Sequence, residues 1–317
     1  MLSGHLHERL DRYLALRRAL GFQLRTEERL LRDFVVFIEA RGADGPVQAQ
    51  TAIAWVCSTG DRCGASGQSQ RLSMVRGFLV FLRAGAPETE VPGSGVLQHL
   101  VRPTPHIYSE AEVEALMAAA RQLEPRGSLR PDTTVTLIGL LLSTGLRTGE
   151  ALRLQETDVE LDKDPPRLVV RLTKFRKSRL VPLHQSAAGA LRAYTEVRRR
   201  LGYARRCNAF FISERRGPLG RRALAATFLS LARQISLRGP AGEKGPSLHS
   251  FRHTFAVRRL LAWYREGADI RARLPELSVY LGHVLPQATY WYLTATPELL
   301  RLASDRFEAH VCGRATS

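Results

Sequence analysis

Apolar positions recur at helical spacing through residues 1–90. Leu6, Leu10, Tyr13, Leu14 and Leu16 predict one amphipathic helix, ended by Gly21. Leu30, Leu31, Phe34, Val35, Phe37 and Ile38 predict a second, ended by Gly42. A third is expected from Val47 to Cys57 and a fourth from Ser69 to Leu82, separated by a Gly- and Ser-containing loop and stopped by Gly85 and Pro87. Residues 86–105 then turn rich in Pro and Gly and poor in apolar side chains, the composition of an interdomain linker. The pattern divides the chain into a small helical domain (1–90), a linker (91–105) and a larger domain (106–317).

In the larger domain Ser109 and Glu112 have the spacing of a capping box at a helix start. A buried helix is expected from Pro131 to Ser143, broken by Gly145, with another beginning near Thr148. The period then changes. Two short strand-like runs, Arg167 to Thr173 and Arg179 to Leu183, flank a basic turn and predict a hairpin. Helices resume over 187–200, 224–235, 248–266, 274–281 and 288–294. The expected fold class is mainly α with a small β-sheet.

Composition narrows the function. In 317 residues, 44% are hydrophobic and 24% charged, the balance of a soluble globular protein. No apolar run reaches the ~18–20 residues of a membrane span. The N-terminus lacks the pattern of a secretory signal, so a cytoplasmic, nucleoid-associated protein is expected. Cys57, Cys63, Cys207 and Cys312 are scattered, which argues against disulfides or a zinc site. The net charge of +17 points to a polyanionic partner, with solvated Arg from a biased codon usage as the bland alternative. Residues 1–100 hold 12 of the 47 basic and 10 of the 30 acidic residues, so nearly all of the excess lies in the C-terminal part. Nucleic acid is the favoured partner. Only Lys163, Lys174, Lys177 and Lys244 are lysines; a lysine kept where Arg is the habit hints at proton transfer, against chance clustering.

Four islands carry candidate chemistry. In Ser143-Thr-Gly-Leu-Arg-Thr-Gly-Glu, Arg147 follows a glycine turn and Glu150 lies three residues on. Such an arginine can offer its fork to a phosphate, although a surface ion pair explains the motif equally well. The hairpin turn carries Lys174 and Lys177. In Leu-His249-Ser-Phe-Arg252-His253, His249 and Arg252 share a helix face at i and i+3, whereas His253 falls about 100° further round from Arg252 and reads as structural. The last island is Leu-Gly-His283-Val-Leu-Pro-Gln-Ala-Thr289-Tyr290-Trp291-Tyr292. Aromatic residues in a helix are more often core than catalytic, and Tyr290 competes with Tyr292 for any chemical role.

The order of these islands, Arg, Lys in a hairpin, His-x-x-Arg, Gly-His and Tyr, resembles the catalytic domain of the tyrosine recombinase (phage integrase) family over roughly residues 106–300. Residues 1–90 resemble its helical core-binding domain in kind only. The resemblance implies an α+β catalytic domain and a site-specific recombinase that cleaves and rejoins DNA through a 3′-phosphotyrosine. It implies Arg147, Lys174, His249, Arg252, His283 and Tyr292 as catalytic residues, with Glu150 and Lys177 in support. The family's nucleophile lies nine residues after the Gly-His histidine, which selects Tyr292 and keeps Thr289 three residues before it. Thr173 and Phe175 stand where the family's lysine motif has glycines. Double-stranded DNA with paired sites is the implied partner, bound by a homotetramer with a dimer on each site, in integration or transposition of a mobile element. A free tyrosine, with pKa near ~10, attacks the phosphorus while a lysine protonates the departing oxygen, so neither ATP nor metal is expected. A sequence-tolerant topoisomerase of the related strand-swivelling class, a non-catalytic DNA-binding regulator and, last, a metal-dependent nuclease or transposase are the rival readings. The tail carries Leu299, Leu300, Leu302 and Phe307 as an apolar face for docking on a neighbouring protomer or on its own domain.

Overall fold

The computed structural model describes residues 3–315 apart from 43–44, 59–63, 94, 98–103, 172–177, 204–206, 241–242, 244, 284 and 295. The chain divides into two compact units, Met1–Pro103 and Thr104–Ser317. The first holds α1 (Ser3–Ala19), α2 (Arg25–Glu39), α3 (Ala49–Cys57) and α4 (Ala65–Arg83). Their apolar stripes meet in one core. Leu10, Leu14, Phe34, Val35, Phe78 and Leu79 are removed from solvent, while Leu16, assigned to the same stripe as Leu10, is half exposed. Helix α4 begins four residues before Ser69, with Gly64 as its N-cap. Val91 and Leu97, in the stretch with linker composition, pack against this core.

The second unit contains α5 (Glu110–Arg121), α6 (Arg130–Thr144), the one-turn α7 (Thr148–Ala151), β1 (Val159–Glu160), β2 (Arg167–Val170), β3 (Arg179–Pro182), α8 (Gln185–Arg200), α9 (Arg221–Gln234), α10 (Ser250–Arg265), α11 (Ile270–Leu281), α12 (Gln287–Tyr290) and α13 (Pro297–Ala315). The capping box of Ser109 and Glu112 starts α5 as its spacing predicts. The hairpin is present, with Arg167 opposite Pro182 and Val170 opposite Arg179. It is widened to a three-stranded antiparallel sheet by β1, whose two residues are too few to show a period. Helix α11 starts four residues before Leu274, because the Asp269 side chain accepts from the amides of Arg271 and Ala272 at 2.9 and 3.4 Å.

One core gathers α5, α6, α8, α9 and the sheet. A second lies around α10 and α11 and includes Ala256, Val257, Leu260, Leu277, Leu281, Tyr292 and Leu299. The start of the unit is pinned under α10. Tyr108 stacks on Phe251 at 4.4 Å between ring centroids, its amide donates to Thr254 Oγ1 at 2.9 Å, and its hydroxyl donates to Ser247 O at 3.1 Å. The turn 291–294 after α12 is 3₁₀, so the helix expected over 288–294 is real but changes pitch before the second tyrosine. Among the described residues no helix is long and apolar enough to cross a membrane.

Candidate active site

The C-terminal end of α11 is the scaffold of the site. A helix leaves its last carbonyls without intrahelical partners and carries partial negative charge there. Three successive carbonyls at this end each take a guanidinium from a different part of the chain. Arg179 Nε donates to Tyr280 O at 2.8 Å, Arg252 Nη2 to Leu281 O at 2.7 Å and Arg147 Nη2 to Gly282 O at 2.9 Å. Gly282 has a left-handed φ of 67°, which glycine takes without strain, and a Cβ on it would lie 2.8 Å from Arg179 Nη1, so any larger residue would push that guanidinium aside.

Glu150 holds two of these arginines. Its Oε1 accepts from Arg147 Nη1 at 2.8 Å and its Oε2 from the Arg147 amide at 3.0 Å. Arg179 forms a fork on the same carboxylate, with distances of 3.2 and 2.9 Å. The Glu150 side chain is only 2% exposed, against 32% for Arg147 and 13% for Arg179. Burial alone would raise the Glu150 carboxyl, but the hydrogen bonds and charge of Arg179, joined by those of Arg147, outweigh it and bring the pKa down to about 2.

Arg252 sits in the first turn of α10 and is 1% exposed. Its Nη1 donates to Gly145 O at 2.9 Å, tying α10 to the turn that presents Arg147. Gly145 is left-handed as well, and a Cβ there would run into the Phe255 ring at 2.5 Å. Burial pulls the Arg252 pKa down to about 10, helped by the neighbouring Arg147 charge and opposed by Tyr292 and Glu150, so the group stays cationic at neutral pH.

Tyr292 lies on the 3₁₀ turn after α12 and is 2% exposed, whereas Tyr290 is 49% exposed. The Tyr292 hydroxyl is 3.1 Å from Nδ1 of His253. The His253 ring packs edge-on against Trp291 and against His249, with centroids 5.3 and 4.6 Å away. The His283 ring stacks parallel to Tyr292 at 6.3 Å, and its Nδ1 meets Thr289 Oγ1 at 2.7 Å. His249 occupies the N-cap of α10 and is exposed. It borders a cavity of about 640 Å³ together with Arg147, Arg153, Arg221 and Arg238. Arg238 braces the approach to His249 by donating to Pro246 O at 2.9 Å and Glu243 O at 3.0 Å. Four arginines and an imidazole thus line one cavity, and the buried phenol of Tyr292 has an imidazole partner of its own.

The sequence profile of the phage integrase family matches residues 107–298. The putative integrase/recombinase y4rB of Sinorhizobium fredii is 41% identical, over 94% of this chain and 96% of its own length. The chain belongs to the phage integrase family. With that comes its enzyme class, a tyrosine-type site-specific recombinase acting in DNA recombination. The tyrosine recombinase XerD of Rhizobium meliloti is 32% identical over 95% of this chain and 93% of its own. Among solved structures, the Tn1549 transposon integrase in complex with transposon right end DNA superposes with a TM-score of 0.68, covering 95% of this chain and 99% of that one. At 17% identity that likeness concerns the fold.

In this recombinase the structure brings Arg147, Glu150, Arg252, His283 and Tyr292 together around the end of α11, with His249 on the adjoining cavity. Lys174 and Lys177 lie outside the described residues. Two members of the cluster escape the sequence reading. His253 reads as structural when its angle is counted from Arg252. Counted from His249 it is at i+4, on the same stripe, and the ring contact between the two histidines follows from that spacing. Arg179 stands at the start of a strand, where nothing local announces an ion pair with a glutamate 29 residues earlier.

Proposed function

We propose that this recombinase cuts DNA by attack of Tyr292 on a backbone phosphorus, leaving a 3′-phosphotyrosine and a free 5′ hydroxyl. The observation that carries the reading is the convergence of Tyr292 with Arg252, Arg147 and two histidines on one helix end, from motifs spread over more than a hundred residues. A phosphodiester resists attack because it is anionic, and guanidinium and imidazole groups held in place offset the charge that grows on its oxygens. Arg147, half open on the cavity wall, meets the phosphate first, with His249 beside it. Arg252 and the phenol of Tyr292 lie deeper, at 1% and 2% exposure. Lys174 protonates the departing 5′ oxygen and Lys177 contacts a phosphate, in keeping with the use of lysine where the chain otherwise uses arginine.

The partner in this reading is double-stranded DNA carrying paired sites, held by a tetramer with a dimer on each site. Solved relatives in the same fold support it: a lambda integrase tetramer bound to a Holliday junction, and the Tn1549 integrase on transposon DNA. The task is integration or transposition of a mobile element.

Tyr292→Phe removes the attacking oxygen and leaves the ring contacts. On a duplex selected for binding, this variant is expected to bind with affinity close to wild type and to form no denaturation-resistant protein–DNA adduct. An adduct of normal yield from Tyr292→Phe transfers the role to another residue, with the exposed Tyr290 first in line.

A further inference from the structure

We infer that His253 is a catalytic residue of this site, the base that takes the phenol proton as Tyr292 attacks. The inference rests on Tyr292 as the nucleophile and adds an assignment that the family motif does not make, since the motif's histidine is His249.

The geometry supplies the argument. The Tyr292 oxygen is the reacting atom, and His253 Nδ1 stands 3.1 Å from it, within the reach required of a general base. Both groups are shielded, with exposures of 2% for Tyr292 and 9% for His253. A bare phenolate is poorly solvated in such a place, so the proton must leave as the new bond forms, to an acceptor already in position. Two other groups near the phenol have partners of their own. Glu150 is spent on two arginines and is a weak base at a pKa of about 2, and His283 Nδ1 is 2.7 Å from Thr289 Oγ1. Arginine and lysine are already protonated. His253 follows Arg252 directly in α10, so a phosphate drawn to the Arg252 guanidinium is brought to the same turn of helix that holds the acceptor. The edge-on contacts of His253 with Trp291 and His249 set the plane of its ring and aim Nδ1 at the phenol.

The step balances without a co-reactant. The bond from Tyr292 Oη to phosphorus forms, the bond from phosphorus to the 5′ oxygen breaks, the phenol proton passes to neutral His253 at Nδ1, and a separate acid protonates the 5′ oxygen. In rejoining, the His253 imidazolium returns the proton to the departing phenol, so both directions depend on it.

The test uses the full chain and a duplex selected from a random-sequence pool by binding to Tyr292→Phe, its cleavage position mapped with the wild type. His253→Ala and His253→Gln are expected to bind this duplex within a few-fold of wild type and to form the adduct about 10²-fold more slowly or worse, the usual cost of losing a general base. A 5′-bridging phosphorothiolate at the cleavage position has a leaving group that needs no acid. It should restore Lys174→Ala but leave the His253 variants slow, and added imidazole should recover part of the rate of His253→Ala. Glutamine fills the site and keeps a hydrogen bond to the phenol but accepts no proton at neutral pH, so His253→Gln carries the test if the Ala variant folds poorly. Adduct formation by His253→Gln at the wild-type rate, or rescue of it by the phosphorothiolate, overturns the inference. If Tyr292→Phe still forms adduct, the nucleophile assignment has failed instead; if it forms none while His253→Gln is fully active, only the role of His253 falls.

Discussion

Glu150 shows how much one buried charge organises. Its carboxylate meets two guanidinium groups and a backbone amide, and those partners come from α6–α7 and β3. A buried ion is costly unless every lone pair is used, and here both oxygens are used twice. Its pKa of about 2, against 4.5 for the free side chain, means that the folded state favours the ionised form. The associated stabilisation is complete above the unfolded value and is lost as the pH falls from about 4.5 toward 2. Glu150→Gln is therefore expected to cost about 3 kcal/mol at neutral pH in urea unfolding, with roughly half of the gap to wild type gone by pH 3. A gap that stays constant over that range would locate the effect in packing rather than charge. That Glu150 belongs with Arg147 is legible in the sequence, because they lie three residues apart at a helix start. That Arg179 completes the carboxylate is not, because a strand brings it there.

At the scale of elements, the end of α11 is where the site is decided. Guanidinium groups from β3, α10 and the start of α7 stop the carbonyls of residues 280, 281 and 282 in turn. The Gly-His motif marks the place in the sequence for a local reason: glycine takes the left-handed backbone without strain and leaves room for Arg179. Gly267, at φ 71°, ends α10 in the same conformation with open space around it. Gly267→Ala and Gly282→Ala should each lose about 1 kcal/mol from the left-handed backbone. Adduct formation should survive in the first and drop in the second, whose new methyl pushes on Arg179 and moves the Gly282 carbonyl that holds Arg147. Equal activity in the two variants would show that the carbonyl clamp is not needed for cleavage. The tail is an element whose role the sequence leaves open. In α13, Leu299 is buried in its own unit, while Leu300 and Phe307 remain half or more exposed.

At the scale of the whole molecule, charge is distributed unevenly. The basic excess of the second part and the arginine-lined cavity beside His249 suit a polyphosphate backbone. Affinity for a selected duplex is expected to fall by about 10³–10⁵ between roughly 50 and 200 mM salt, the response to neutralising six to ten phosphates. Fluorescence anisotropy titrations over that range measure it, and an affinity indifferent to salt would argue against phosphate contacts as its source.

The sequence by itself determined the helices with long amphipathic stripes, the hairpin, the location of the basic excess and the ordered motifs that name the family. These are local properties, set by spacing, turn chemistry and composition. Only the tertiary structure decided that Arg179 shares Glu150, that three arginines close one helix end, and that the buried phenol of Tyr292 answers to His253. Each of those joins side chains far apart in the chain, and a contact of that kind exists only when packing has paid the entropy of bringing its two ends together.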